Sequence, residues 1–229
     1  MTSYIGLLKE SYIQNSCEFP NGKFFDADYF ERGKQSGKGW YENYRWMPER
    51  SMKEAEAVIK ALNLNKNSKV LDVGCAKGFL VKALRNKRIK ADGCDISEYA
   101  LNFAPKGCWI CDMVNLWDNR QYTNAFCKDV LEHCNLKQLD VLLKCIAKVS
   151  SVFMCIVPMG DSGKYRISEY VNEISHIIAE DENWWRKTFN RNGWKIISET
   201  AHLPGLKDNW QSFADGIGNR VFILWRKDA

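Results

Sequence analysis

The sequence predicts an α/β protein, a Rossmann-like doubly wound sheet of seven strands, mostly parallel, with an antiparallel last strand and an aromatic-rich N-terminal arm. Three observations predict it. From residue 51 onward, short apolar runs alternate with segments of helical period, the pattern of a parallel sheet covered on both faces. The last two strand-like runs have no helix between them, so the final strand pairs antiparallel. The first 46 residues hold eleven aromatic side chains (Tyr4, Tyr12, Phe19, Phe24, Phe25, Tyr29, Phe30, Trp40, Tyr41, Tyr44 and Trp46) without sustained periodicity. Residues 1–50 therefore read as an arm or lid, or as a segment capping the core, and residues 51–229 as the main domain.

In chain order, Ser51 with Glu54 has the form of a capping box, and Met52, Ala55, Ile59 and Leu62 follow at helical spacing, so a helix is expected from Ser51 to about Asn63. Lys69 to Val73 is a short β-branched strand, followed by the turn Gly74-Cys-Ala-Lys-Gly78 and a helix over Phe79 to Arg85. The alternation continues with strand 89–95, helix 97–103 capped by Ser97, strands 108–111 and 124–129, and helix 136–148 capped by Asn135 and Gln138. It closes with strand 151–157, helix 182–192 and strands 194–200 and 220–226.

Composition narrows the function. A chain of 229 residues builds one sizeable core. The formal charge of +5 is spread without a basic block, which does not point to nucleic acid. No apolar run reaches the roughly 20 residues of a membrane helix, and no secretory signal is visible, so a cytoplasmic protein is expected. Of nine cysteines, Cys108 and Cys111 form the one C-x-x-C spacing, read as a buried strand end. Cys75, Cys94, Cys127 and Cys155 read as small core hydrophobes without disulfides.

In such sheets a ligand sits beyond the carboxyl ends of the strands at the switch point, which directs attention to the loop after Val73. Asp72, Gly74, Ala76 and Gly78 form D-x-G-x-A-x-G, whose small residues let the backbone approach a ligand; the dinucleotide pattern G-x-G-x-x-G is not met. Asp95 stands 23 residues after Asp72 at the next strand end, where a carboxylate can accept both hydroxyls of a ribose. Asp112 ends the strand after that, placed to accept from an adenine amino group. An acid beyond a strand can also cap a helix, but two at successive strand ends after this turn favour a nucleoside site.

On these residues the sequence resembles the class I S-adenosylmethionine-dependent methyltransferases. Val70-Leu-Asp-Val-Gly-Cys-Ala-Lys-Gly78 is similar to their first motif, Gly93-Cys-Asp95 to their ribose-binding strand end, Cys111-Asp112 to their adenine contact, and Lys128-Asp-Val-Leu-Glu-His133 to a fourth-strand motif ending in V-L-E-H. Ala76 stands where a glycine is usual. Tyr29-Phe-Glu-Arg-Gly33, Tyr41-Glu-Asn-Tyr-Arg-Trp46, His176, Trp184-Trp185 and Asn192-Gly-Trp194 resemble, more narrowly, short methyltransferases associated with glycan synthesis in bacteria and large DNA viruses. The resemblance implies S-adenosylmethionine as cofactor, held by Asp72, Gly74, Cys75, Ala76, Gly78, Asp95, Ile96, Asp112 and Met113, with Tyr44 and Arg45 from an arm folded over it. It also implies a hydroxyl of a sugar, glycan or other small polar acceptor as the methyl's destination. RNA methylation and an inactive binding scaffold are the alternatives.

An alcohol needs its proton removed before it attacks. His176 is the expected base, with Glu173 and Glu169 as partners, ahead of His133 and Asp129; His202 reads as an ordinary satisfied polar residue. Asp129, Glu132, His133 and His176 could together hold a divalent metal, as some similar sugar methyltransferases use magnesium. No metal is expected, because oxygen-rich sites usually carry more acids, and Asp129 and Glu132 could instead cap helix 136–148.

Overall fold

The computed structural model describes residues 21–111, 121–208 and 218–227. Their main feature is a seven-stranded sheet of order β3-β2-β1-β4-β5-β9-β8. Its strands are β1 (Lys69–Val73), β2 (Lys90–Asp95), β3 (Cys108–Ile110), β4 (Tyr122–Lys128), β5 (Ser150–Pro158), β8 (Trp194–Thr200) and β9 (Asn219–Arg226). The first five are mutually parallel, and β9 runs antiparallel to both β5 and β8. The order reverses between β1 and β4, so the loops after these two strands face each other across the switch-point crevice.

Both sheet faces are buried, and the alternation of side chains sorts the core into two layers. Leu71, Ala125, Cys127, Phe153, Cys155 and Val157 point to one face, beneath α5 (Leu136–Val149) and α6 (Glu182–Arg191), which contribute Leu139, Leu143, Ile146, Trp185 and Phe189. Val70, Phe126, Met154 and Ile156 point to the other, beneath α2 (Pro48–Ala61) and α3 (Phe79–Asn86), which contribute Ala55, Val58, Val81 and Leu84. The expected cysteines are buried free thiols inside these layers.

The expected caps of α5 and α4 (Glu98–Leu101) are present. Asn135 accepts from Gln138 N while the Gln138 side chain accepts from Asn135 N, and Ser97 accepts from Ala100 N. The capping box at Ser51 is not. α2 starts three residues earlier, at Pro48, whose fixed φ and missing N–H suit the first turn, so Ser51 lies inside the helix, and Glu54 pairs with Lys128 at 2.8 Å. α4 also stops earlier than periodicity suggested. Three elements were not foreseen: helix α1 (Ala27–Ser36), capped by Asp26, and the two-stranded hairpin β6 (Gly160–Asp161) and β7 (Lys164–Tyr165). The hairpin turn is Ser162-Gly163, with φ of 51° and 82°, the left-handed pair that tight hairpins require.

The arm residues from Phe24 to Tyr44 pack their rings on one another and on Tyr99, Ala100 and Ile174. Polar ties fasten them. Lys77 pairs with Glu31 of α1 and donates to Tyr44 O at 2.7 Å; Trp40 donates from Nε1 to Glu169 O at 2.6 Å. Gly39 lies against the Glu173 carboxylate, which a Cβ would meet at 2.5 Å and would have to displace.

Candidate active site

A cavity of about 520 Å³ opens at the carboxyl edge of β1, β2 and β4, roofed by the arm. One end is built by the loop after β1. Gly74 has φ 75°, and a Cβ there would meet Val130 Cγ2 at 2.2 Å, so only glycine lets the β1 and β4 loops approach this closely. Ala76 adopts φ 48°, a left-handed conformation in which alanine is strained. Asp95 holds this loop in place: Oδ2 accepts from Ala76 N at 2.6 Å and Oδ1 from Ser97 N at 2.7 Å. Each oxygen keeps a further lone pair. Burial raises the carboxyls of both Asp95 and Asp72, the latter to about 7, where Asp95 and Glu54 add to the rise and Lys128 opposes it.

The other end is built by the loop after β4 and the segment before α6. A 3-10 turn, Leu131–His133, brings Glu132 and His133 under the cavity, and the chain at Ser175–His176 closes over them. His133 Nδ1 lies 3.2 Å from Ser175 O, an arrangement in which the ring donates there and leaves Nε2 as a lone pair. Burial pushes His133 down to about 4, so it is neutral at physiological pH. The His133 and His176 rings stand 4.7 Å apart, and Glu132 Oε1 lies 3.8 Å from His176 Nε2. Glu132 is fully buried and neither of its carboxylate oxygens has a hydrogen-bond partner. Burial and the charge of Asp129 raise its pKa well above the usual range.

Of the residues singled out from sequence, Tyr44, Arg45, Asp72, Gly74, Cys75, Ala76, Asp95, Ile96, Asp129, His133 and His176 line this cavity. Gly78 does not. It opens α3 with φ 68° and packs against Pro105 and Cys108, a backbone role. Asp112 and Met113 lie outside the described residues. Glu173 accepts from Trp40 N and Ser175 Oγ, and Glu169 from Ser168 Oγ; Glu132, not foreseen as a partner of His176, also stands beside it, at 3.8 Å. Nor do Asp129 and Glu132 cap α5, whose N-terminus is closed by Asn135. His202 is satisfied by Asp208 at 3.1 Å, away from the cavity.

Lys207 was missed, and its flanking residues carry no signal for it. It comes from beyond β8 to pair with Asp129, and donates to Tyr170 Oη and Asn219 Oδ1, each at 2.8 Å. Burial works against its charge, but Asp129, Tyr170 and Glu132 outweigh that and hold the amine above its ordinary range. Arg50, Glu54 and Lys128, not expected at the site, also reach the cavity.

No family model matches the sequence, and no curated protein matches it. Solved structures do match. A methyltransferase crystallised with the Haloferax volcanii Trm112 methyltransferase activator superposes with a TM-score of 0.63 at 15% identity, over 79% of this chain and 91% of that one. The fold is that of the S-adenosylmethionine-dependent methyltransferases. Magnesium protoporphyrin IX methyltransferase from Synechocystis PCC 6803, with bound S-adenosylhomocysteine, superposes with a TM-score of 0.61 at 17% identity, over 90% of this chain and 97% of that one. Small RNA methyltransferase HEN1 gives 0.57 at 14% identity, over 78% of this chain and 25% of that one. The methyltransferase fold places the strand-end loops around the cavity just described.

Proposed function

We propose that the protein is an S-adenosylmethionine-dependent methyltransferase acting on a hydroxyl of a sugar, glycan or other small polar acceptor. The observation that carries the reading is the single cavity that joins the Asp72–Ala76 loop and Asp95 at one end to the His133–His176 pair at the other. The residues fit the cofactor: Asp95 retains acceptor capacity for ribose hydroxyls, the β1 loop is small enough for close approach, and the rings of Tyr29, Phe30, Tyr41 and Tyr44 provide electron-rich faces for a cation. When bound, the cofactor supplies a sulfonium methyl whose C–S bond breaks as the new O–C bond forms, the sulfur keeping the bonding pair. The protein's part is alignment of donor and acceptor near 3 Å, exclusion of water by the arm, and passage of the hydroxyl proton toward the histidine pair. The arm from Phe25 to Arg50 serves as the lid in this reading. The segment after β4 reads Asp129-Val-Leu-Glu132 and lacks the Pro-Pro-aromatic pattern associated with amino-group methylation, which favours oxygen as the acceptor atom.

The test has two parts. S-adenosylmethionine or S-adenosylhomocysteine should raise the melting temperature and nicotinamide dinucleotides should not, while Asp95→Ala should weaken cofactor affinity at least tenfold, since hydrogen bonds to a charged group contribute roughly 1.5–3 kcal/mol each. Labelled methyl should then pass to a glycan or small hydroxyl compound in a panel that also contains RNA. Equal stabilisation by both ligand types would overturn the cofactor assignment, and transfer to RNA alone would overturn the acceptor.

A further inference from the structure

We infer that Glu132, His133 and His176 form a binding site for a divalent transition-metal ion at the acceptor end of the cavity, with at least one coordination position open to the acceptor oxygen. The clause about the acceptor rests on the function proposed above; metal binding itself does not. The starting point is Glu132. A carboxylate that is fully buried with neither oxygen hydrogen-bonded, and with an imidazole nitrogen 3.8 Å from one of them, is a costly arrangement, and such groups are normally closely paired, neutralised or bound to metal. The backbone around it is fixed by bonds from Ile177 N and Ile178 N to Glu132 O, at 2.9 and 3.1 Å, so the side chain is placed by the fold.

Two imidazoles converge on the same spot. Glu132, His133 and His176 each offer one ligand atom, and the three atoms lie within 4.8 Å of one another. Atoms that share an ion at bond lengths of about 2.1 Å stand roughly 3 Å apart, so small side-chain adjustments suffice to close the site. The His133 ring is already oriented by Ser175 O on its Nδ1 side, the outer hydrogen bond that usually accompanies a metal-bound imidazole. Two nitrogens and one carboxylate oxygen suit manganese, iron, cobalt or zinc better than an all-oxygen site for calcium or magnesium. Asp129 is not counted, because Lys207 occupies it; that pairing also offsets the lysine's positive charge, which would otherwise repel an ion.

Both histidines line the cavity, so positions left open by the three protein ligands would face into it. An ion there takes the imidazole lone pairs and binds the acceptor hydroxyl, lowering its pKa so that the proton is released to water in the cavity. The histidines are then ligands rather than the base.

The experiment uses the full chain, stripped with a chelator and then titrated with Mn²⁺ and, separately, Zn²⁺, without cofactor or acceptor. Expected are one ion per chain, read by loss of the free Mn²⁺ resonance signal and by calorimetry, and a metal-induced rise in melting temperature. Glu132→Gln keeps the shape and removes the charge; it should weaken Mn²⁺ binding at least tenfold and abolish the metal-induced rise. His176→Asn is the second variant and should do the same. Absence of binding by either ion at millimolar concentration, or binding that neither variant weakens, would overturn the site. Methyl transfer at full rate by the stripped protein would overturn its role and return the histidines to proton transfer. Binding of the ion without transfer to any acceptor would leave the site standing and count against the proposed function.

Discussion

At the scale of single residues, Ala76 and Asp72 give the sharpest expectations. Ala76 occupies the left-handed region at φ 48°, which costs an L-residue with a Cβ roughly 1–2 kcal/mol. Ala76→Gly relieves this while adding backbone entropy to the unfolded chain, and the two effects nearly cancel. Stability in urea should stay within about 0.5 kcal/mol of wild type. Ala83→Gly, at a buried and regular position of α3, should cost 1.5 kcal/mol or more by rough estimate, from about 1 for helix propensity and about 0.8 for the lost methyl. Equal losses would mean that Ala76 is unstrained. Asp72 is raised by burial from 3.8 to about 7, and under the proposed function it should make cofactor binding pH-dependent. The folded chain holds a proton that the unfolded chain has lost, so this group's contribution to stability declines as pH rises from about 4 to about 7. A cationic ligand nearby favours the ionised carboxyl. Affinity for S-adenosylmethionine should therefore tighten between pH 6 and 8, and calorimetry on Asp72→Asn should show that slope flattened.

At the scale of elements, the arm is held by a few directed bonds on top of ring packing. Trp40→Phe keeps an aromatic ring and removes the bond from Nε1 to Glu169 O, worth roughly 0.5–1.5 kcal/mol. Hydrogen exchange of the arm amides between residues 21 and 47 should quicken roughly two- to tenfold while the β4 and β5 amides stay unchanged, because the change acts on local opening. An equal change throughout would show that the arm and the sheet unfold as one unit. The helices beneath the sheet follow a different logic. α5 has its own capping box, whereas α4 is a single turn held by the Ser97 cap and by Ser97 Oγ donating to Phe25 O at 2.5 Å.

At the scale of the whole molecule, Glu182 at the start of α6 ties the β6–β7 hairpin to the sheet. It receives Arg166, next to β7, at 2.8 Å and Arg220, on β9, at 2.6 Å, and Arg166 chiefly holds its carboxyl down at about 2. With the folded value below the ordinary 4.5, its contribution is complete above that pH and is lost as pH falls toward 2. The melting temperature of Glu182→Gln should fall less steeply than that of wild type over this interval and lie below it at pH 7. Identical acid profiles would assign acid sensitivity to other carboxylates.

The sequence by itself determined the sheet. Alternating strands and helices, buried on both faces, leave a period that any reader of hydrophobicity can follow, and the caps at Ser97 and Asn135 are local chemistry complete within four residues. It also determined the loop after β1, because a turn that needs Gly74 and an acid at the next strand end are both short-range signals. Only the tertiary structure decided the other end of the cavity. His176 lies far along the chain from Glu132, the acid that stands 3.8 Å from it. Lys207 reaches Asp129 from a still more distant segment. Such pairings come from where the sheet order brings loops together, and no local pattern of residues encodes them.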